Sequence, residues 1–222
     1  MMLYVNTVPR MCTNFTPTRK SDWVVKHFGI DLPAANYPVE AYPGYVAPLV
    51  VKSHQTGRMA CGLARFGLIP AWAKGNKIGR HTYNARSETA STKPSYRTPW
   101  RLRQYGIVLV DNFFEPSYET GKAVRWCIEA QDGDPLGIAC LWDRWIDPAS
   151  GEIVASFSML TVNADEHPVM RRFHRDLEEK RTPVALAHDQ YTDWLGATAH
   201  RASEMMEWGK MPSLISGVAP RR

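Results

Sequence analysis

Hydrophobic and polar positions along this chain fall mostly into short apolar runs broken by turn residues, with little of the long 3.6-residue periodicity that marks helices. YGIVLVDNFFE (105–115) opens on an unbroken aliphatic run, the pattern of a strand buried on both faces. VRWCIEA (124–130), LGIACLWDRW (136–145) and ASFSMLTVNA (155–164) predict further strands, with QDGDP and DPASGE as the turns between them. Earlier in the chain, YVAPLVVKS (45–53) and MACGLARFGLIPAW (59–72) read as strands broken by prolines. Two stretches read as helix: SDWVVKHFGI (21–30), with Ser21 as its expected N-cap, and AHDQYTDWLGA (187–197). No βαβ alternation is present. The fold expected is α+β, a single β-rich domain whose mixed or antiparallel sheets form a barrel-like core with a few peripheral helices.

Composition narrows the function classes. At 222 residues, 44% hydrophobic and 22% charged, the chain has the make-up of an ordinary globular protein with a substantial core. No apolar run approaches the ~20 residues of a membrane span, and MMLYVNTVPR lacks the pattern of a signal peptide. A cytosolic protein is therefore expected. The net charge of +5 is compatible with an anionic partner. No Gly-rich phosphate loop occurs, and the seven histidines include no HExxH or paired Cys/His spacing, so no metal or other cofactor is expected. None of the four cysteines is spaced as CxxC. Cys61, Cys127 and Cys140 lie in apolar stretches and are expected to be buried, whereas Cys12 does not.

Candidate chemistry is scattered. Met11-Cys12 is either a chance pair or a second start that would leave Cys12 with a free thiol and a free α-amine. Asn84 and Arg86 lie in YNARSET. Glu115 closes the most apolar strand, either beside a pocket, where desolvation raises a carboxyl pKa, or at an exposed strand end. His174, in MRRFHRDLEEKR, reads equally as a surface side chain. YRTPWRLRQY (96–105) interleaves Arg97, Arg101 and Arg103 with Tyr96 and Trp100. That mixture suits single-stranded nucleic acid, where guanidinium groups meet phosphates and rings stack on bases. It equally suits a solvated basic segment with Trp100 in the core.

The order of these segments is more specific than any one of them. Met-Cys, YVAP, FGLIPAW, YNARSET, FFEP, ACLWDRW and LTVNADEHPVMRRFH together resemble the SOS response-associated peptidase (SRAP) family, the abasic-site processing proteins, over roughly residues 11–185. The resemblance implies a lead segment, residues 1–11, absent from the mature chain and a single domain over 12–222. It implies that Cys12 becomes the N-terminal residue, with self-cleavage as one route to its exposure, and bonds covalently to abasic sites in single-stranded DNA through a thiazolidine ring. Asn84, Glu115 and His174 would then be catalytic, and Arg86, Trp72, Arg97, Arg101 and Arg103 would contact DNA. A monomer that joins the nucleoid during damage is the implied setting. Failure of ring closure would leave an imine capable of lyase chemistry. Two alternatives stand beside this reading, a non-covalent single-strand-binding module and a cysteine peptidase pairing Cys12 with His174. The chain departs from the family pattern in Thr13 and Asn14, where Gly-Arg usually follows Met-Cys, and in extra residues between His174 and Arg181-Thr182-Pro183.

Overall fold

A computed structural model describes residues 14–175 and 178–219 of the chain. Its elements begin with β1 (Asn14–Pro17), α1 (Ser21–Phe28), β2 (Val46–Lys52), β3 (Met59–Phe66), β4 (Asn84–Arg86), α2 (Ser87–Ala90) and α3 (Arg97–Arg101). The long strands follow: β5 (Tyr105–Ser117), β6 (Val124–Ala130), β7 (Leu136–Ile146) and β8 (Ile153–Asn163). The remainder is β9 (Arg181–Pro183), β10 (Ala185–Leu186), α4 (Tyr191–Gly196), α5 (Ala199–Met205) and β11 (Leu214–Val218).

Five strands close on themselves in the order β7-β8-β3-β2-β5, with β5 pairing back onto β7. β3 runs parallel to β8, as does the short β4, so the sheet is mixed. The expected α+β barrel-like domain is the fold observed.

The aliphatic run of β5 follows from its place in the barrel. Val108 and Val110 point into a core with Leu49, Phe66, Ile138, Cys140, Phe157 and Met159. Ile107 and Leu109 alternate outward into a second core, which is covered by Val24 and Phe28 of α1 and by Tyr191, Trp194 and Leu195 of α4. A strand covered on both faces has no polar side to show. β5 then outruns the barrel, and its far half pairs with β6 (Glu115 opposite Trp126) and with β1 (Asn14 opposite Phe114).

Several local expectations are corrected. Ser21 is the first residue of α1 rather than its cap; Lys20 holds that position and makes no side-chain cap bond. The helix stops at Gly29, whose left-handed backbone (φ 65°) lets its N–H reach the Val25 carbonyl at 2.9 Å. Pro48 does not break β2, because pairing with β5 begins only at Leu49 and the missing N–H interrupts no ladder there. The 59–72 strand ends at Phe66. Cys140 is buried, but Cys61 and Cys127 are half-buried at strand positions.

Beyond Phe66 the chain makes an excursion that returns as β4, and a pair of glycines closes its base. Gly67 (φ 109°) lies against Gly79 so tightly that a Cβ on Gly67 would stand 2.3 Å from the Gly79 carbonyl oxygen. Gly67→Ala should therefore cost about 2 kcal/mol or more, combining an unfavourable backbone angle with a backbone collision. Urea unfolding of the variant checks it, and a loss within experimental error would contradict the close packing.

Candidate active site

At the mouth of the barrel beyond β5, two titratable side chains meet. Glu115 alternates in phase with Phe113 and so points inward; it is only 2% exposed. The exposed-strand-end alternative is thereby excluded. His174 is 4% exposed, against the surface reading of its charged neighbourhood. Phe173 forms a bridge with Ser117, and the His174 N–H donates to the Pro116 carbonyl at 3.3 Å. These contacts draw the 170–174 segment onto the end of β5 and leave His174 in a left-handed backbone (φ 65°).

The His174 Nε2 stands 3.9 Å from Glu115 Oε2, beyond hydrogen-bond length but within reach of one shared proton-bearing group. Burial lowers the His174 pKa and Lys180 adds to that, while a hydrogen bond with the Arg181 backbone and the charge of Glu178 act the other way. The imidazole is neutral at pH 7 and able to accept a proton.

Aromatic packing joins other segments to the inner core that also holds Phe113 and Phe173. The Phe66 ring meets Phe15 edge-on at 5.2 Å, Tyr83 at 5.7 Å, and stacks on Phe157 at 5.4 Å. Phe15 follows Asn14, and Tyr83 precedes Asn84. Asn84 is half-buried in β4 opposite Met159, and its carbonyl accepts the Tyr96 hydroxyl at 2.9 Å. Glu40 draws in Asn14 and accepts from Arg125 at 2.6 Å and from Tyr42 at 2.6 Å, while the Arg125 guanidinium lies 3.4 Å over the Phe114 ring.

The predicted DNA contacts divide. Arg86 is exposed but forms an ion pair with Glu179 at 2.6 Å. Trp72 is 57% exposed, its indole N–H donating to the Pro94 carbonyl at 3.3 Å, which places it beside the start of α3 and Arg97. Arg101 and Arg103 lie at the other end of that helix, where His54 bonds the Arg103 carbonyl at 3.0 Å. Tyr96 and Trp100, the rings of the interleaved segment, are buried in the outer core and offer no stacking face. The core alternative holds for those rings, while the three arginines remain exposed.

Two participants escaped the sequence reading. Arg181 is 2% exposed, clamped by Glu88 (2.8 Å at its shortest) and by the Thr161 carbonyl at 2.7 Å, and it also pairs with Glu179. Arg-Thr-Pro was visible as a motif, but nothing local signalled a buried guanidinium. Glu179 belongs to the extra residues after His174. Burial opposes its ionisation, but hydrogen bonding to Arg181 and the charges of Arg181 and Arg86 outweigh this and hold its pKa below the usual carboxylate range.

Among the described cysteines none is a ready nucleophile. Burial pushes the Cys61 thiol up to about 12, Cys127 to about 11, and Cys140 further still. Cys12 and the expected 1–11 lead lie outside the described residues.

A family model described as SOS response associated peptidase matches residues 11–216. Abasic site processing protein YoqW of Bacillus subtilis (strain 168) is 31% identical over 194 residues, covering 83% of this chain and 80% of that one. Abasic site processing protein HMCES of Gallus gallus is 30% identical over 123 residues, 46% of this chain and 37% of that one. Among solved structures, a protein of Bordetella bronchiseptica superposes with a TM-score of 0.84 at 31% identity, covering 95% of this chain and 100% of its own. One from Bacteroides thetaiotaomicron shares the fold, with a TM-score of 0.76 at 21% identity over 94% and 92% of the two chains.

Proposed function

The chain belongs to the SOS response-associated peptidase family, and we propose that it processes abasic sites in single-stranded DNA by linking itself to them through Cys12. The relatives named as abasic site processing proteins support the general activity. The observation that carries the chemical reading is the buried Glu115–His174 pair. Asn14, two residues after Cys12, pairs with Phe114, the neighbour of Glu115.

An abasic deoxyribose opens to an aldehyde. The α-amine of an N-terminal Cys12, with an ordinary pKa of ~7.7–8.0, is partly neutral at physiological pH and adds to the aldehyde carbon. The carbinolamine formed loses water to give an imine, and the thiol adds across its C=N bond to close a five-membered thiazolidine. Glu115 delivers a proton to the sugar ring oxygen on opening. His174, neutral and 3.9 Å away, takes a proton from the attacking ammonium-derived nitrogen and passes one to the departing hydroxyl. Asn84 orients the sugar or the amine by hydrogen bonding. An internal cysteine cannot react this way, because its nitrogen is an amide, so removal of residues 1–11 is part of the proposal.

The three described thiols support this assignment by elimination, since none is activated. Trp72, Arg86 and Arg97 would receive the flanking strand, with Arg101 and Arg103 farther along α3. The test is an intact mass taken under denaturing conditions after incubation with an oligonucleotide holding one abasic site. A product equal to DNA plus a chain beginning at Cys12, less one water, is expected. If a chain started at Met11 and freed of that methionine, so that Cys12 is its first residue, gave only dissociable complexes, the non-covalent binding module would replace the enzyme.

Glu179 bears on how tightly that strand is held. A phosphate approaching Arg86 must displace a carboxylate that is ionised at neutral pH. Glu179→Gln keeps the shape and removes the competitor, so affinity for unmodified single strands should rise several-fold at low salt. The log–log salt slope should steepen by ~0.7, one phosphate contact. Fluorescence anisotropy across a salt series measures both, and an unchanged slope would place Arg86 off the DNA path.

A further inference from the structure

Far along the chain from one another, His27 in the last turn of α1, Asp134 in the turn between β6 and β7, and His188 in the 3-10 turn before α4 come together on the helix-covered side of the barrel. We propose that these three side chains form a binding site for a divalent transition-metal cation of the zinc type. One ligand atom from each lies within 4.8 Å of the other two. A tetrahedral centre with bonds of ~2.0–2.2 Å needs its ligand atoms about 3.4 Å apart, a contraction that small side-chain rotations supply.

Two further observations favour a ligand here over simple packing. The His27 Nε2 is buried and makes no hydrogen bond among the described residues, which is costly for an imidazole nitrogen unless something else engages it. The two rings are held in place by aromatic neighbours: Trp23 stacks on His27 at 4.2 Å and meets His188 edge-on at 5.3 Å, and Tyr191 flanks His188 at 5.7 Å. Metal sites depend on such outer support to orient their imidazoles.

Two imidazoles and one carboxylate suit Zn²⁺, Ni²⁺ or Cu²⁺, and are a poor set for Mg²⁺ or Ca²⁺, which prefer all-oxygen ligation. Lys20 already ties the start of α1 to the same turn, donating to the Gly133 carbonyl at 2.8 Å. A bound ion would fasten the other end of the helix to that turn and to the approach to α4, with a fourth position left to water. The site is separate from the abasic-site chemistry. It borders the outer core of Val24, Phe28 and Tyr191, whereas Phe113 and Phe173, next to Glu115 and His174, belong to the inner one.

The test is calorimetric titration of the metal-free full-length chain with Zn²⁺, paired with absorption of the Co²⁺ adduct. One equivalent should bind with a Kd of about 10 μM or tighter, and the Co²⁺ spectrum should be that of nitrogen and oxygen ligands. At 100-fold excess over Kd the Tm should rise by about 5–10 °C. His27→Ala and His188→Ala should each weaken binding at least ~10-fold, and Asp134→Asn, on a surface turn that tolerates the change, should do the same. Absence of binding at ~100 μM Zn²⁺ would overturn the proposal, since tighter affinity is required by three preset ligands. So would binding that survives all three substitutions, or a thiolate charge-transfer band that moves the ion to a cysteine.

Discussion

Glu115→Gln should slow covalent capture of an abasic site by about 10²–10⁴-fold while leaving affinity for the intact single strand within about twofold. The substitution keeps the size and burial of the side chain, so the barrel mouth is not reshaped, but an amide cannot deliver a proton to the ring oxygen. The defect should be confined to the rate. The final adduct, given time, should show the same mass increase over its free protein as the parent's does, DNA less one water. Single-turnover cross-linking followed on denaturing gels across pH separates the two proton-transfer groups. His174 holds its pKa below the ordinary ~6.5, because burial disfavours its charged form. It therefore serves as a base at all pH above that lowered value, and its acid limb should fall below pH 6.5. The amine supplies a second limb near its own, higher pKa. In His174→Ala the lower limb should vanish and the upper one remain. A Glu115→Gln variant that cross-links at the parental rate would remove the carboxyl from the mechanism.

Cys12→Ser separates the two bonds that the chemistry makes. Its α-amine is intact, so the imine still forms, but a hydroxyl is a far weaker nucleophile than a thiol and ring closure to a stable product should fail. Stable adduct should fall to background under denaturing conditions. Borohydride reduction before denaturation should restore a cross-link by trapping the imine, and strand cleavage by β-elimination should increase. Acetylating the α-amine of Cys12 should abolish both the stable and the trappable product, because no primary amine then remains at the site to form the imine. Undiminished stable adduct in Cys12→Ser would contradict the thiazolidine. The described thiols, all driven upward by burial, offer no substitute nucleophile.

Legibility in the sequence divides along physical lines. β5, β6, β7 and β8 could be read because each is long enough for its apolar pattern to repeat, and β5 and β7 are buried on both faces. β1 and β4, with 4 and 3 residues, carry no period to detect, although β4 positions Asn84 and Arg86. Pro48 argued against a continuous strand where only the pairing partner could show that its missing N–H is harmless. His174 was least legible: its neighbours are charged, and its burial comes from a bridge between Phe173 and Ser117, far away in sequence. Tyr96 and Trp100 failed as a stacking platform for the converse reason, since the same alternation of basic and aromatic residues also describes a helix with its rings packed inward.

The apolar patterning along the chain determined a β-rich α+β domain and the residue types available for chemistry, which are local properties of composition and spacing, and the order of the motifs carried the resemblance to the family. Which of them share a site was decided by tertiary structure alone. Glu115 with His174, Arg86 with Glu179, and His27 with Asp134 and His188 are brought together by strand pairing and helix packing between distant segments. No local pattern encodes such distances; they arise when the burial of apolar faces selects one closed arrangement of strands.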